Sequence, residues 1–375
     1  MRPSMNTFDV REDTVALTAH REAWDALALR QSSPFLTCAW LHNWARHRGA
    51  GRPLCATLCG PDGSLLAGGL FRRTAGGLAA AADVHSGDWD VVASDADSRR
   101  ELWDHLARTG PLRFHLVQMR TGSHEVETGL GVLRRAGYGV LPSVRETTSP
   151  YIPLSGGFDR LLASRSRNAR KQVRRHRRDL DAVGRVRFRT SGGGADFDRD
   201  FDDFLRVEAS GWKGEQGTAI ASSGSTRGLY RDFAEEADRR GWLRLQLLEL
   251  DGVVVAAGLV VAFAGEGFFL KTGFDDALAE LAPGQVLTAE ILRDAAQEGL
   301  RGMDMLGRAD QYKMSWTDEV RPRQRFRVYK GPPGRAAQHV WNQAARPGLV
   351  VLRDRARDDP RLRRRLERLQ ALVER

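Results

Sequence analysis

The block from Leu243 to Tyr329 limits what this chain can fold into more than any other part of it. Leu243-Arg-Leu-Gln-Leu-Leu-Glu-Leu250 is a Leu-rich strand, Asp251-Gly252 is a two-residue hairpin turn, and Val253 to Phe263 continues as a β-branched strand. Ala264-Gly-Glu-Gly267 turns the chain again, and Phe268 to Phe274 returns. Ala282-Pro283-Gly284-Gln285 then opens a helix, Val286 to Glu298, that Gly299 closes, and Arg301 to Leu306 is the next strand. A helix start therefore follows a central strand directly. The free amides of such a start suit a phosphate or pyrophosphate.

Upstream, Arg185 to Arg189 reads as a strand, and Asp198 to Ala209 and Thr226 to Arg239 as helices. The region is thus β-α-α-β-β-β-α-β-α-β. From roughly Gly184 to Lys330 that order resembles the GNAT acyltransferase fold. The resemblance implies an acyl-coenzyme A donor in a cleft between two splayed strands. The loop Leu281-Ala-Pro-Gly284-Gln-Val-Leu287 stands where the common pattern is Arg/Gln-x-x-Gly-x-Gly/Ala, and it keeps one of its glycines.

The chain has 375 residues, enough for two cores, and 41% of them are hydrophobic, which excludes a largely disordered protein. The first fifteen residues lack the apolar stretch of a secretory signal, and the longest apolar run, Val253 to Phe263, is too short to span a bilayer. Cys38, Cys55 and Cys59 fit a reducing cytosol, so a cytoplasmic location is expected. Cys55 and Cys59, with His42 and His47 upstream, have the wrong spacing for a common zinc site, and buried thiols with no metal are the expectation. A net charge of +10 favours an anionic partner.

The first half repeats the plan. Thr14 to Leu17 reads as a strand, followed by helices at Arg21 to Arg30 and Ala39 to Arg48. Leu54 to Cys59, the Asp62-Gly63 turn, Leu65 to Arg72 and Leu78 to Val84 give three more strands. Asp97 to Arg108, Arg113 to Met119, Glu125 to Ala136 and Tyr138 to Val144 complete the helix-strand-helix-strand order. No Pro-Gly loop precedes the Asp97 helix, and the carboxylates of Ser86-Gly-Asp-Trp-Asp90 would repel a pyrophosphate. This copy is expected to shape the acceptor side or serve as scaffold. Leu141 to Gly157 reads as a linker. Phe158 to Val183 reads as one helix whose stretch Arg165 to Arg178 carries many cations without aromatics for base stacking.

The expected fold is α/β with a mixed sheet: two tandem GNAT-like domains joined by a basic helix, with a C-terminal helical tail. The expected boundaries are 1–150 for a degenerate GNAT-like domain and 151–183 for linker and basic helix. The GNAT-like acyltransferase domain follows at 184–332 and the Arg-rich tail at 333–375.

Five motifs in order resemble CelD-type, cellulose-biosynthesis-associated GNAT proteins. They are Ser-Pro-Phe35 with Trp40-Leu-His-Asn-Trp44; Arg167-Asn-Ala-Arg-Lys171; Glu208-Ala-Ser-Gly-Trp-Lys-Gly214; Lys271-Thr-Gly-Phe-Asp275 with Pro283-Gly284; and Asp304 followed by Gln311-Tyr-Lys-Met-Ser-Trp316. Together they span about residues 20 to 330. The same double-domain plan occurs in Fem-type peptidoglycan aminoacyltransferases, which draw on aminoacyl-tRNA. The resemblance implies acyl transfer to an amine of a small molecule, peptide or saccharide. It leaves the donor open between acyl-coenzyme A and aminoacyl-tRNA, and a binding protein that has lost the chemistry is the third reading.

Acyl transfer to an amine needs an anchored donor, a deprotonated amine, a stabilised oxyanion and a proton for the leaving group. Pro283, Gly284, Gln285, Val286 and Leu287 are the candidate donor anchor, against an ordinary helix start. Tyr312 is the candidate acid, against a packed tyrosine. Glu208 and Asp304 are candidate bases, against salt-bridge partners. Trp212, Lys213, Lys271, Asp275 and Lys313 are candidate substrate contacts, Asp275 against a turn cap. The stretch Arg165 to Arg178 would meet tRNA or an anionic surface, against a solvated face.

Overall fold

The computed structural model describes residues 6–49, 51–144, 146–210 and 219–345. Its strands are β1 (Thr7–Arg11), β2 (Pro53–Cys59), β3 (Leu65–Thr74), β4 (Gly77–Ala80), β5 (Val92–Ala93), β6 (Arg113–Arg120), β7 (Tyr138–Pro142), β8 (Thr147–Pro153), β9 (Val186–Thr190), β10 (Leu243–Leu250), β11 (Val253–Phe263), β12 (Glu266–Phe274), β13 (Gly302–Asp304) and β14 (Val320–Lys330). Its helices are α1 (Val15–Ala19), α2 (Arg21–Arg30), α3 (Cys38–Arg48), α4 (Ala96–Arg108), α5 (His124–Arg135), α6 (Gly157–Ser164), α7 (Arg167–Asp181), α8 (Phe197–Glu208), α9 (Gly224–Arg239), α10 (Pro283–Gln297), α11 (Gln311–Met314) and α12 (Gly331–Val340). The Arg-rich tail from 346 onward lies outside the described residues.

The strands form one mixed sheet in the order β1-β2-β3-β4-β6-β14-β8-β13-β12-β11-β10-β9. Each half contributes an antiparallel run that ends on a parallel pair, β4 with β6 in the first and β12 with β13 in the second. The halves then trade strands. β14, late in the chain, pairs with β6 and β7 of the first half, and β8 pairs with β13 of the second (Ile152 opposite Met303). The segment expected as a linker thus holds a central strand. The β8 run Thr-Thr-Ser-Pro-Tyr-Ile-Pro has Pro150 within it, opposite Val320 at the far end of its short pairing with β14.

Two further elements depart from expectation. Thr14 to Leu17 is helical: the Asp13 carboxylate accepts the Val15 amide at 2.8 Å and starts a short helix, while the edge strand is Thr7–Arg11, paired with β2. The basic segment is two helices, because Arg165 is extended and Ser166 caps α7 by accepting the Ala169 amide at 3.2 Å.

The halves also share a core. Phe268 and Leu306 of the second half belong to the same buried cluster as Trp24, Phe35 and Trp40 of the first, and Phe35 meets Phe268 edge-on at 6.1 Å between centroids. Each such fully buried aromatic contributes about 2 kcal/mol through area removed from water. A second cluster, with Val286, Leu287 and Ile291, seats α10 on β11 and β12.

Candidate functional site

β12 and β13 are paired only at Gly267 with Met303 and Phe268 with Asp304. Beyond that point they part. Leu306 (φ 49°) and Gly307 (φ 63°) are left-handed in succession and turn the chain away after β13. On β12 the ladder with β11 steps from Phe269–Val260 to Lys271–Leu259, so Leu270 is a bulge residue with no opposite number. The gap is a cleft of about 430 Å³. It is lined by Phe269 to Phe274, by Met305, Leu306 and Gly307, and by Glu208, Tyr312 and Lys313.

The first half closes the other side. Val84, His85, Ser86 and Gly87, which follow β4, line the same cleft with Gln118 of β6 and Thr147 of β8. These residues lie where the first half's own parallel pair separates, because β4 and β6 are in register only from Gly77–Arg113 to Ala79–His115. Both strand openings therefore face one cavity. The acidic residues expected to repel a ligand there are turned inward: Asp88 bonds Ser33 and pairs with Arg120 at 2.6 Å, and Asp90 pairs with Arg99 at 2.9 Å.

A second cavity of about 320 Å³ lies beyond Tyr312, lined by Arg165, Gln172, His176, Gln285, Gln311, Tyr312 and Ser315 among others. Tyr312 borders both cavities. Its hydroxyl bonds that of Thr288, one turn into α10, and Thr288 Oγ1 donates to the Gly284 carbonyl at 2.9 Å. Burial pushes the phenol up to about 12.

The start of α10 differs in detail from expectation. Ala282 is left-handed (φ 51°) and its carbonyl accepts the amides of Gln285 at 2.9 Å and Val286 at 3.3 Å. Leu287 lies a full turn inside the helix, and the Val286 and Leu287 side chains are core. The Gly284 amide bonds no carbonyl among the described residues; Gly284 is half-buried and lines neither cavity, so the helix start reaches the second cavity through the Gln285 side chain. A Cβ on Gly284 would sit 3.0 Å from the Phe274 ring.

Glu208 ends α8, is buried, and accepts the Ile220 amide at 2.9 Å. It reaches the cleft because Gly273 lets α8 press on β12; a Cβ there would lie 2.2 Å from Glu208 Cα. Lys271 and Lys313 both line the cleft, and Lys313 Nζ donates to the Leu306 carbonyl at 2.8 Å. Asp304 is fully buried: Ser149 Oγ donates to it at 2.6 Å, the Leu306 amide at 3.0 Å, and Arg323 at 2.8 Å. Burial alone would push Asp304 up, but Arg323, Ser149 and the Leu306 amide outweigh it and hold the carboxyl below its usual range. Asp275 is not among the cleft-lining residues; it caps the turn at Asp276–Leu281 by accepting the Ala277 amide at 3.1 Å, while its neighbour Asp276 lines the cleft. Trp212 and Lys213 lie outside the described residues.

The basic helix divides into two faces. Arg170 donates to the Ala163 and Arg165 carbonyls, Arg175 pairs with Asp179, and Arg177 pairs with Asp181 and Glu290. Arg167, Lys171, Arg174 and Arg178, spaced as one stripe, are exposed and pair with no carboxylate among the described residues. No group of three or more metal-ligating side chains with suitable geometry occurs among the described residues, and no described helix is long and apolar enough to cross a membrane.

Sequence reasoning missed His85, Gln118 and Tyr230. Tyr230 sits on the apolar stripe of α9 with Leu229 and Phe233 and reads as plain core. Gln118 is placed by a left-handed backbone (φ 57°) that nothing in its neighbours announces.

Residues 167–314 match the model of the acetyltransferase (GNAT) domain family. No curated protein matches the chain in sequence. Among solved structures the chain is similar to FemX (11% identity, 84% of this chain and 96% of that one, TM-score 0.56). It is also similar to the C-terminal domain of a putative lysylphosphatidylglycerol synthetase from Agrobacterium fabrum (13%, 88% and 96%, TM-score 0.55). A third likeness is to a conserved protein of unknown function from Bacteroides thetaiotaomicron (14%, 86% and 100%, TM-score 0.59). The chain has a GNAT/Fem-like fold, and the residues that match the GNAT family model lie in the second half and supply much of the cleft just described.

Proposed function

We propose that this chain transfers an acyl group from acyl-coenzyme A to the amine of a small-molecule, peptide or saccharide acceptor, in the cleft where β12 and β13 part. The observation that carries the reading is Tyr312, which borders both the cleft and the cavity beside the start of α10. A donor stretched past it has its thioester between the strands. Its diphosphate then lies at the Gly284 amide and Gln285, where the helix dipole favours an anion; Arg165, which lines the same cavity, is paired with Asp318 at 3.1 Å.

In this scheme the backbone N–H at the Leu270 bulge polarises the acyl carbonyl. Glu208 takes the amine proton, directly or through a water, as the nitrogen–carbon bond forms and the carbon–sulfur bond breaks. Tyr312 gives its proton to the departing sulfur, and its raised titration keeps that proton in place at neutral pH. Lys271 and Lys313 supply positive potential along the cleft. Asp304 moves no proton; it ties β8, β13 and β14 together. Within the fold we group the chain with the CelD-type proteins on the five motifs quoted above, and we keep the domain boundaries near 150, 183 and 332, with β8 straddling the first of them and β14 pairing back onto the first half.

A second reading, aminoacyl-tRNA as donor, is favoured by the stripe of Arg167, Lys171, Arg174 and Arg178, which runs about 16 Å at 1.5 Å per residue along α7. Native mass spectrometry of the purified chain with acetyl-coenzyme A, longer acyl-coenzyme A species and aminoacyl-tRNA separates the two. Retention of an acyl-coenzyme A supports the first reading. Retention of aminoacyl-tRNA alone, weakened steeply by salt, replaces it with the second, and retention of neither ends both.

A further inference from the structure

Tyr230 is buried in the wall of the cleft, and two polar side chains are built onto it. His85 Nδ1 lies 3.3 Å from its hydroxyl, with the two rings edge to face at 82°. Lys271 Nζ stands 5.5 Å from its ring centroid, a cation over an aromatic face. Glu208 is close enough that, with Asp83, it adds to burial in pushing the Tyr230 phenol up. His85 comes from the first half and Lys271 from the second, so the cluster exists only where the two halves meet.

The hydrogen-bond sense follows from chemistry. A buried phenol needs an acceptor for its proton, and His85 Nδ1 is the one that the Tyr230 hydroxyl has. Tyr230 O–H then donates to Nδ1, and the ring carries its own proton on Nε2. Nε2 has no bond among the described residues and is not sealed away from solvent, on a side chain that lines the cleft. Burial pushes His85 down to about 4 against the pull of Asp83, with Lys271 and Arg48 adding to the effect, so the ring is neutral at neutral pH.

We propose that Tyr230 is the platform of a carboxylate subsite, with His85 Nε2–H and Lys271 Nζ as its two donors, and that the acceptor is an amine that also carries a carboxylate. Glu208, on the same wall, meets the ammonium end of such a zwitterion. The word acceptor rests on the acyl-transfer reading; the subsite itself does not.

The test uses the full chain with 15N-labelled histidine and no acyl donor, with His85→Leu to assign the signal. Long-range proton–nitrogen spectra at neutral pH are expected to show His85 protonated on Nε2 alone, and Tyr230→Phe to shift the proton toward Nδ1. Glycine or L-alanine is expected to move the His85 Nε2 signal, while glycine methyl ester and ethanolamine leave it in place. His85→Leu should weaken glycine binding by roughly ten- to hundred-fold, the scale of a hydrogen bond to a charged group, and His85→Gln, which restores an N–H at similar reach, should recover most of it. A proton on Nδ1, equal shifts from the ester and the acid, or no shift from either amino acid would overturn the subsite. Glycine binding in a chain that takes up neither acyl-coenzyme A nor aminoacyl-tRNA would instead sink the transfer reading and leave the subsite standing.

Discussion

The Tyr312 hydroxyl is held by Thr288, and Thr288 in turn donates to the carbonyl of Gly284, so the proposed acid and the proposed donor anchor sit on one hydrogen-bonded line along α10. Because Thr288 spends its proton on Gly284, the Tyr312 proton points to Thr288 Oγ1 in the free protein. Donor binding must draw that proton toward the leaving group.

The first expected outcome concerns Tyr312 itself. Tyr312→Phe should lower turnover of acyl-coenzyme A with a saturating amine by roughly ten- to ten-thousand-fold, the range for a positioned acid, with donor affinity nearly unchanged. Thr288→Val should cost far less, since it removes only the resting partner. Steady-state kinetics on both variants checks this, and a Phe variant with full turnover would remove the acid role.

A second outcome concerns the basic helix. Reversing Arg167, Lys171 and Arg174 to Glu should barely alter binding of acetyl-coenzyme A if its phosphates lie at Gly284, but should abolish association with aminoacyl-tRNA at low salt and flatten the salt dependence. Filter binding across a salt series reads the difference.

Sequence alone would have picked a different set for that experiment, including Arg170 and Arg175. Their pairing with carbonyls and with Asp179 depends on where α6 ends and α7 begins, and the Arg165–Ser166 break hides inside an unbroken run of cations. The strand–strand–strand–helix–strand order from Leu243 to Leu306 was legible because hydrophobic periodicity and the Pro-Gly start are local signals. The exchange of β8 and β14 between the halves was not, since it depends on long-range pairing such as Arg323 with Arg120. Tyr312, Glu208, Lys271 and Lys313 were found by motif, and all four line the cleft. His85 and Tyr230 were not, because their meeting joins residues 145 apart in the chain.

A third outcome concerns stability. Asp304→Asn leaves Arg323 and Ser149 without their charged partner in a fully buried site, and loss of one member of a buried pair costs about 3–5 kcal/mol. Thermal unfolding should show a drop of several degrees in Tm, and a variant as stable as the parent would mean the network does not bind β8, β13 and β14 together.

A fourth outcome concerns pH. Burial, with Arg325, Arg327, Arg72 and Arg113 nearby, pushes His115 on β6 down to about 4. Between an unfolded pKa of about 6.5 and that value the unfolded chain binds a proton that the native chain does not. This contribution to stability is therefore full above about pH 6.5 and is lost as the pH falls toward 4. His115→Gln should flatten the fall in Tm across that window without altering donor binding; an unchanged acid limb in the variant would show that the histidine is already charged in the native state.

The most direct measurement is calorimetric titration of the full chain with acetyl-coenzyme A, run beside Gly284→Asp. The carboxylate at that position meets the donor diphosphate and crowds the Phe274 ring, while the core beneath α10 remains. The expected result is saturable binding by the parent chain and a loss of about tenfold or more in the variant, the scale of one charge-assisted hydrogen bond. Equal binding by the two proteins, or none by the parent, would contradict a donor seated between β12 and β13 with its phosphates at the start of α10.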